Sequence, residues 1–262
     1  MDKKHPFCRK ERELKFIFFV GVPYNIGMKK FTFLLLSTFC VVTSAFSLCV
    51  REISNAEMPV SGTETTFHVV VDAGHGGMDG GVTGKTSGVK ESDLNLSIAY
   101  RLKDELEDAG FLVTMTRKTE FGICEAGETW SKKRDMQQRK KQIRESNPSL
   151  VVSIHQNRYS LPSVRGGQVF YKKGSDSGKS LAVQVQERLN RLYQKEDVNP
   201  RNATPSSYYL LECTDAPSII VECGFLSSPA DEGLLLKNGF QEELALSIFS
   251  GIMGYYSEIY GS

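Results

Sequence analysis

The sequence predicts an α/β layered domain with a mostly parallel central sheet flanked by helices, preceded by one N-terminal hydrophobic segment. Three observations carry that expectation. From residue 67 onward, short β-branched runs alternate with amphipathic helical stretches, the pattern of a sheet covered by helices. Residues 150–154 form a near-continuous apolar run, as a strand buried on both faces of a parallel sheet does. Several strands end in glycines, histidines or acids, and the ends of strands are where an open α/β sheet places its ligand.

Taken in order, residues 67–72 (Phe-His-Val-Val-Val-Asp) make a first strand, ended by glycines. Leu94, Ile98, Leu102, Leu106 and Ala109 recur at helical spacing over residues 91–109, and Gly110 stops that helix. Residues 111–116 are a second strand, residues 131–145 a very polar helix with Pro148 behind it, and residues 150–154 the third strand. A short strand over 168–171 follows, and Leu181, Val185, Leu189 and Leu192 mark another amphipathic helix. Strands over 208–211 and 218–221 and a helix over about 241–256 complete the expected layout. No internal repeat, low-complexity tract or second domain is evident, and about 195 residues suffice for one core.

The 262 residues carry 32 basic and 31 acidic side chains, a balance that argues against a dedicated nucleic-acid binder. The balance is a cancellation. Residues 1–27 hold six basic and three acidic groups and residues 28–50 only Lys29 and Lys30, which leaves 24 basic and 28 acidic groups, net −4, in residues 51–262. Residues 31–50 are twenty uncharged positions rich in Phe, Leu and Val behind Met28-Lys29-Lys30, enough to cross a bilayer and placed to send the rest of the chain outward. We therefore expect 1–27 to be a doubtful leader or upstream-start extension, 28–50 a signal peptide or membrane anchor, 51–66 a linker and 67–262 the folded domain. Small residues near Ala45 and Ala56 are candidate processing sites. Cys8, Cys40 and Cys49 fall in the leader; Cys124, Cys213 and Cys223 remain, an odd number without Cys-x-x-Cys spacing. Small buried thiols are expected, with a Cys213–Cys223 bridge left open.

The chemistry concentrates at strand ends. The first is Asp72-Ala73-Gly74-His75-Gly76-Gly77, the second Ser153-Ile154-His155-Gln156-Asn157, and the third Val221-Glu222-Cys223-Gly224-Phe225; Glu91 opens the first helix and is free to point back over the same edge. Two His and one Glu leave a tetrahedral zinc one open position, the composition of a hydrolytic site, and a second carboxylate can take up the proton of water. Each piece alone has a plainer reading, a capping or core histidine or a glutamate favouring a helix N-terminus. His68 reads as structural, Glu212 as surface, and the basic run 132–144 as a solvated helix face.

Residues 67–256 resemble the zinc-dependent N-acetylmuramoyl-L-alanine amidases with a single catalytic α/β domain. Four blocks in order carry the likeness: 71–79 (Val-Asp-Ala-Gly-His-Gly-Gly-Met-Asp), 91–99 (Glu-Ser-Asp-Leu-Asn-Leu-Ser-Ile-Ala), 153–157 (Ser-Ile-His-Gln-Asn) and 217–226 (Pro-Ser-Ile-Ile-Val-Glu-Cys-Gly-Phe-Leu). The resemblance implies that His75, Glu91 and His155 bind one zinc ion and that Glu222 is the catalytic carboxylate. It also implies cleavage between the lactyl group of N-acetylmuramic acid and L-alanine in peptidoglycan. Asp72 or Asp79 could orient His75, and Asn157 could either bind substrate or cap its own loop. Ala73 stands where the family usually has Pro, and Arg158 where it usually has a small residue. One hydrophobic segment, one domain and the loop over 121–130 look most like the spore-former amidases that trim cortex peptidoglycan toward muramic δ-lactam for germination. That implies export, to the wall or the spore intermembrane space, and leaves room for a regulatory protein partner. Two other readings of the same residues are a zinc carboxypeptidase-type peptidase acting on wall peptides and a non-catalytic wall-binding module.

Overall fold

Six strands form one sheet in the computed structural model, which describes residues 66–123 and 130–261. The leader, the hydrophobic segment, residues 51–65 of the linker and Cys124 lie outside the described residues. Among the described residues no helix is long and apolar enough to cross a membrane. The strands are β1 (His68–Ala73), β2 (Leu112–Met115), β3 (Leu150–Asn157), β4 (Gln168–Lys172), β5 (Thr204–Ser206) and β6 (Ser218–Phe225). The helices are α1 (Glu91–Asp108), α2 (Lys132–Ser146), α3 (Asp176–Gln194), α4 (Pro229–Leu235) and α5 (Asn238–Tyr260).

The sheet order is β2-β1-β3-β6-β4-β5. All neighbours are parallel except β4 and β6, which run antiparallel. β3 lies between β1 and β6, parallel to both, which explains its apolar sequence. Because β1, β3 and β6 point the same way, their carboxyl ends share one edge of the sheet. Register puts Asp72 beside Ser153 and His155 beside Glu222. The strand-end motifs, far apart in the chain, are thereby neighbours.

Alternate strand residues face opposite sides. Val69, Val71, Val152, Ile154, Ile219 and Val221 pack with Leu94, Ile98 and Leu102 of α1, Leu181, Val185 and Leu189 of α3 and Leu244, Ile248 and Ile252 of α5 in the main core. Val70 and Val151 face the other side, against Ile143 of α2, Leu210 and Cys213. Cys213 thus packs on one face and Cys223 on the other; both are buried free thiols, and the bridge left open by the sequence is not formed.

Two local expectations need correction. Residues 208–211 are not a strand: a 3₁₀ helix spans Tyr209–Glu212, and the strand lies earlier, at Thr204–Ser206. Tyr208 and Tyr209 are exposed while Leu210 and Leu211 are buried, a paired pattern that a period-2 strand cannot produce but a tight helical turn does. Pro205 is tolerated because β5 is an edge strand. Helix α4 was not anticipated; seven residues are too few to show a period, although Pro229 at its first turn behind Ser228 is a start signal.

Helix α2 also differs from a wholly solvated basic face. Its N-cap Ser131 side chain accepts from the Arg134 N–H, and it ends at Asn147 in the left-handed region. Between them Asp135, Arg139 and Ile143 turn inward, with Arg139 only 2% exposed.

Candidate metal centre

His75, Glu91 and His155 offer three ligand atoms that all lie within 4.8 Å of one another. The backbone explains each placement. β1 ends at Ala73, and the following turn puts His75 at φ 62, a left-handed conformation rare outside glycine. That strain is held by two arginines. Arg139 Nη2 donates to the His75 carbonyl at 2.5 Å and its Nη1 to the Ala73 carbonyl at 2.9 Å. Arg117 Nε donates to the Ala73 carbonyl at 2.8 Å, and its Nη2 to the carbonyls of Gly74 at 3.0 Å and Ser92 at 2.7 Å. A strained backbone held this firmly belongs at a functional position.

Glu91 opens α1 almost fully buried. Its Oε2 accepts from the Val82 N–H at 2.8 Å; its Oε1 accepts from the Gln156 N–H at 3.1 Å and Asn95 Nδ2 at 3.2 Å. Gly81, at φ +68, is required here, because a Cβ there would sit 2.5 Å from Glu91 Oε2. The same Oε1 lies 3.2 Å from His75 Nε2 and 2.9 Å from His155 Nδ1. Burial pushes the Glu91 carboxyl up, but the bonds and charges of His155 and His75 outweigh it and hold it far below the usual range. For His75, burial pulls downward and the carboxylates of Glu91 and Asp79 outweigh it, so its pKa is raised.

Three donors at these separations fit a tetrahedral cation. Ligands about 2.0–2.1 Å from a zinc ion stand roughly 3.3 Å apart, close to the two contacts on Glu91 Oε1. His75 Nδ1 bonds Asp79 Oδ2 at 2.9 Å, which commits that nitrogen's proton and leaves Nε2 as the donor. The residues present therefore fit a metal.

Asp72 does not reach His75 in this way. Its buried carboxylate accepts from Thr116 Oγ1 at 2.6 Å, Ser153 Oγ at 2.5 Å and Arg139 Nη1 at 2.5 Å. Asn157 Oδ1 accepts from the Arg158 N–H at 2.7 Å and caps its own loop. His68 Nε2 bonds Thr114 Oγ1 at 2.9 Å, and Glu212 is an exposed partner of Lys172.

Glu222 lies across from the cluster, beside His155 in register. Both line a cleft of about 380 Å3, together with His75, Asp79, Lys132, Met136, Tyr208 and Tyr209. Among the described residues the buried Glu222 Oε2 has no hydrogen-bond partner. Burial pushes its pKa up to about 7, the nearby Glu91 charge adding to that against the pull of His155 and His75. A carboxyl poised near neutrality can both accept and release a proton.

Sequence reasoning missed Arg117, Arg139, Asn95 and Gln156, which hold the donors rather than supply them. Asn95 was one helical turn after Glu91, and Arg139 stood four residues after Asp135 and four before Ile143; both spacings were visible, but buried charges are uncommon enough that spacing alone did not single them out.

Gly74 tests how tightly the centre is built. A Cβ there would overlap the His155 ring, so Gly74→Ala is expected to lower divalent metal affinity about 10–100-fold, the usual cost of disturbing ligand orientation. Competition with a chromogenic chelator reads this directly; unchanged affinity with an intact fold would refute it.

Comparison with known proteins places the chain in a family. The family model described as N-acetylmuramoyl-L-alanine amidase matches residues 69–253. The germination-specific N-acetylmuramoyl-L-alanine amidase of Bacillus subtilis is 33% identical over 193 residues, 72% of this chain and 80% of the relative. The CwlD amidase from Clostridioides difficile, solved in complex with the GerS lipoprotein, is 34% identical with a TM-score of 0.70, over 74% of this chain and all of that one. A second structure, the N-acetylmuramoyl-L-alanine amidase from Clostridium difficile 630, is 29% identical with a TM-score of 0.64, over 73% of this chain and 97% of that one.

Proposed function

Since the chain belongs to the N-acetylmuramoyl-L-alanine amidase family, and is thus a hydrolase acting on peptidoglycan, we propose that His75, Glu91 and His155 hold one zinc ion and that Glu222 is its proton-transferring carboxylate. The observation that carries this reading is Glu222 itself: a buried carboxylate with an unpartnered oxygen, facing a three-donor cluster. A polar atom left unsatisfied in this way signals a role in chemistry rather than in stability.

When bound, zinc would supply Lewis acidity, making water a stronger acid and the lactyl carbonyl a better electrophile. Glu222 accepts the proton of the attacking water and delivers it to the nitrogen of the departing L-alanine. Asp79 keeps the His75 ring oriented through Nδ1, and the Val82 and Gln156 N–H groups fix the Glu91 carboxylate before any cation arrives. Asp72 acts at one remove, by anchoring Arg139 under the His75 turn. Asn157 serves the shape of the loop behind His155.

We place the reaction in spore cortex maturation, where stem removal precedes muramic δ-lactam formation. Similarity to a germination-specific amidase supports this. The complex of the CwlD amidase with a lipoprotein supports a protein partner here too. Export through the hydrophobic segment over 31–50, retained as an anchor or cleaved, brings the domain to that substrate.

Mass spectrometry of peptidoglycan digested with the full chain tests the reading. New L-alanine amino termini and stem-free muramic acid are expected with zinc, and neither after chelation. Release of terminal amino acids instead would identify a carboxypeptidase; wall binding without products, with zinc supplied, would identify a binding module.

A further inference from the structure

Two cavities lie at the carboxyl end of the sheet, one on the α2 side and one on the α1 side, and their linings differ in charge. The cleft holding Glu222 lies on the α2 side. It is lined by four carboxylates, Asp72, Asp79, Asp135 and Glu222, and by Lys132 and Arg139, of which Arg139 is paired with Asp72 and Asp135. Exposed Tyr208 and Tyr209 form its rim. The second cavity, about 430 Å3, opens between the loop that leads into α1 and the segments that follow β3 and β6. Its walls include Val82 and Leu226, which belong to the main core on the α1 side.

This second groove has no carboxylate among its lining residues and two cations, Lys85 and Arg158. Neither is in an ion pair among the described residues. Both stand on firmly held backbone. Beside Lys85, the N–H groups of Thr86 and Ser87 donate to the almost fully buried Glu232, at 2.9 and 2.6 Å. Beside Arg158, the Tyr159 N–H donates to Ser227 Oγ at 2.9 Å. The groove adjoins the candidate ligands through the backbone: the Val82 N–H donates to Glu91 Oε2, and Arg158 follows His155 by three residues.

Resting on the amidase reading above, we propose that this groove is the subsite for the acidic stem peptide, with Lys85 and Arg158 receiving its free carboxylates. The leaving group of the reaction is the amino end of a peptide that carries carboxylates. The cations of the groove suit such a chain, whereas the tyrosine rim of the cleft suits the apolar ring face of a sugar. The scissile amide then crosses the carboxyl edge of the sheet at His155 and Glu222, sugar on one side and stem on the other. With residues 51–262 at net −4, long-range attraction does not draw an acidic peptide in, so local cations must select it.

The test compares Lys85→Glu and Arg158→Glu with Lys133→Glu, which changes net charge equally from an exposed position on α2, in the zinc-loaded full chain. On a muropeptide with free stem carboxylates, KM is expected to rise about tenfold in the first two variants, with kcat within about twofold, and to stay unchanged in Lys133→Glu. When the stem carboxylates are amidated, wild-type KM rises and the two variants add nothing further. Calorimetric titration of the free acidic stem peptide gives a readout independent of turnover: binding is retained in Lys133→Glu and lost in Arg158→Glu. Equal KM and peptide affinity in all four proteins would overturn the subsite, as would a KM rise that persists on the amidated stem. Absence of turnover together with normal charge-dependent peptide binding would instead count against the amidase reading alone.

Discussion

Glu222→Gln is expected to retain zinc and to lose kcat by about 10³-fold or more, in line with removal of a general acid–base group. The amide fills the same space but cannot take up a proton. Because the three candidate metal donors come from the turn after β1, from α1 and from β3 while Glu222 comes from β6, metal affinity should be unaffected. His75→Ala or His155→Ala, by contrast, should lose both the ion and activity. Full turnover in Glu222→Gln would eliminate the assigned base. Burial lifts the metal-free Glu222 carboxyl to about 7, and a bound cation would draw it down. Activity should therefore fall as pH drops through a value at or below about 7.

The same group has a stability signature of opposite sense. Its folded pKa lies above the unfolded value, so the folded state keeps a proton that the unfolded state releases between about pH 4.5 and 7. The resulting cost grows across that interval and is complete above it. Glu222→Gln should thus stabilise the chelated protein above pH 7, by something on the order of 2 kcal/mol, and change nothing at pH 4. A variant more stable and inactive is the mark of a residue kept for chemistry.

The second large effect belongs to Arg139. Arg139→Met leaves Asp72 charged and fully buried, with only the Ser153 and Thr116 hydroxyls for partners. Breaking one side of such a pair costs about 3–5 kcal/mol, equivalent to roughly 6–20 °C in Tm for a domain of this size. The carbonyls of Ala73 and His75 lose a donor as well, so zinc affinity should fall along with Tm. Arg139→Lys separates the two roles: it keeps a charge near Asp72 but cannot fork to the four oxygens of Asp72, Asp135, Ala73 and His75, and should recover stability better than metal affinity. Asp72→Asn combined with Arg139→Met should be less damaging than Arg139→Met alone. Burial pushes Asp72 upward, but Arg139 and the two hydroxyls prevail and hold it at about 2. Since the folded pKa is depressed, this stabilisation is present above about pH 4 and is lost as pH falls toward 2. Without Arg139 the loss should begin at higher pH. An unchanged acid-unfolding midpoint in Arg139→Met would refute this account.

The basic run illustrates the limit of reading composition. Residues 132–144 look like a solvated basic face, and most of their side chains are exposed or half-buried. One of them is nevertheless the main prop of the metal loop. The spacing of Arg139 from Asp135 and Ile143 hints at an inward face, but it is Asp72 and two carbonyls beneath the helix that set it apart from Arg134 or Lys140. The mistaken strand over 208–211 failed for a related reason. Four apolar residues fit a strand or a tight helical turn equally well, and which pair is buried depends on what the sheet offers underneath.

By itself the sequence determined the alternation of strands and helices and the apolar character of the central strand, and it offered His75, Glu91, His155 and Glu222 as candidates. These follow from short-range pattern: period, turn residues, and chemical groups set at strand ends. It also separated a basic, apolar N-terminal region from an acidic domain. Only the tertiary structure decided that Asp79 and not Asp72 bonds His75, that Arg117 and Arg139 clamp a strained turn, that Glu222 keeps an oxygen unsatisfied, and that the two free cations share one groove. Those facts depend on contacts between residues tens of positions apart, brought together by parallel pairing of β1, β3 and β6, and a one-dimensional pattern does not encode which groups such pairing will place face to face.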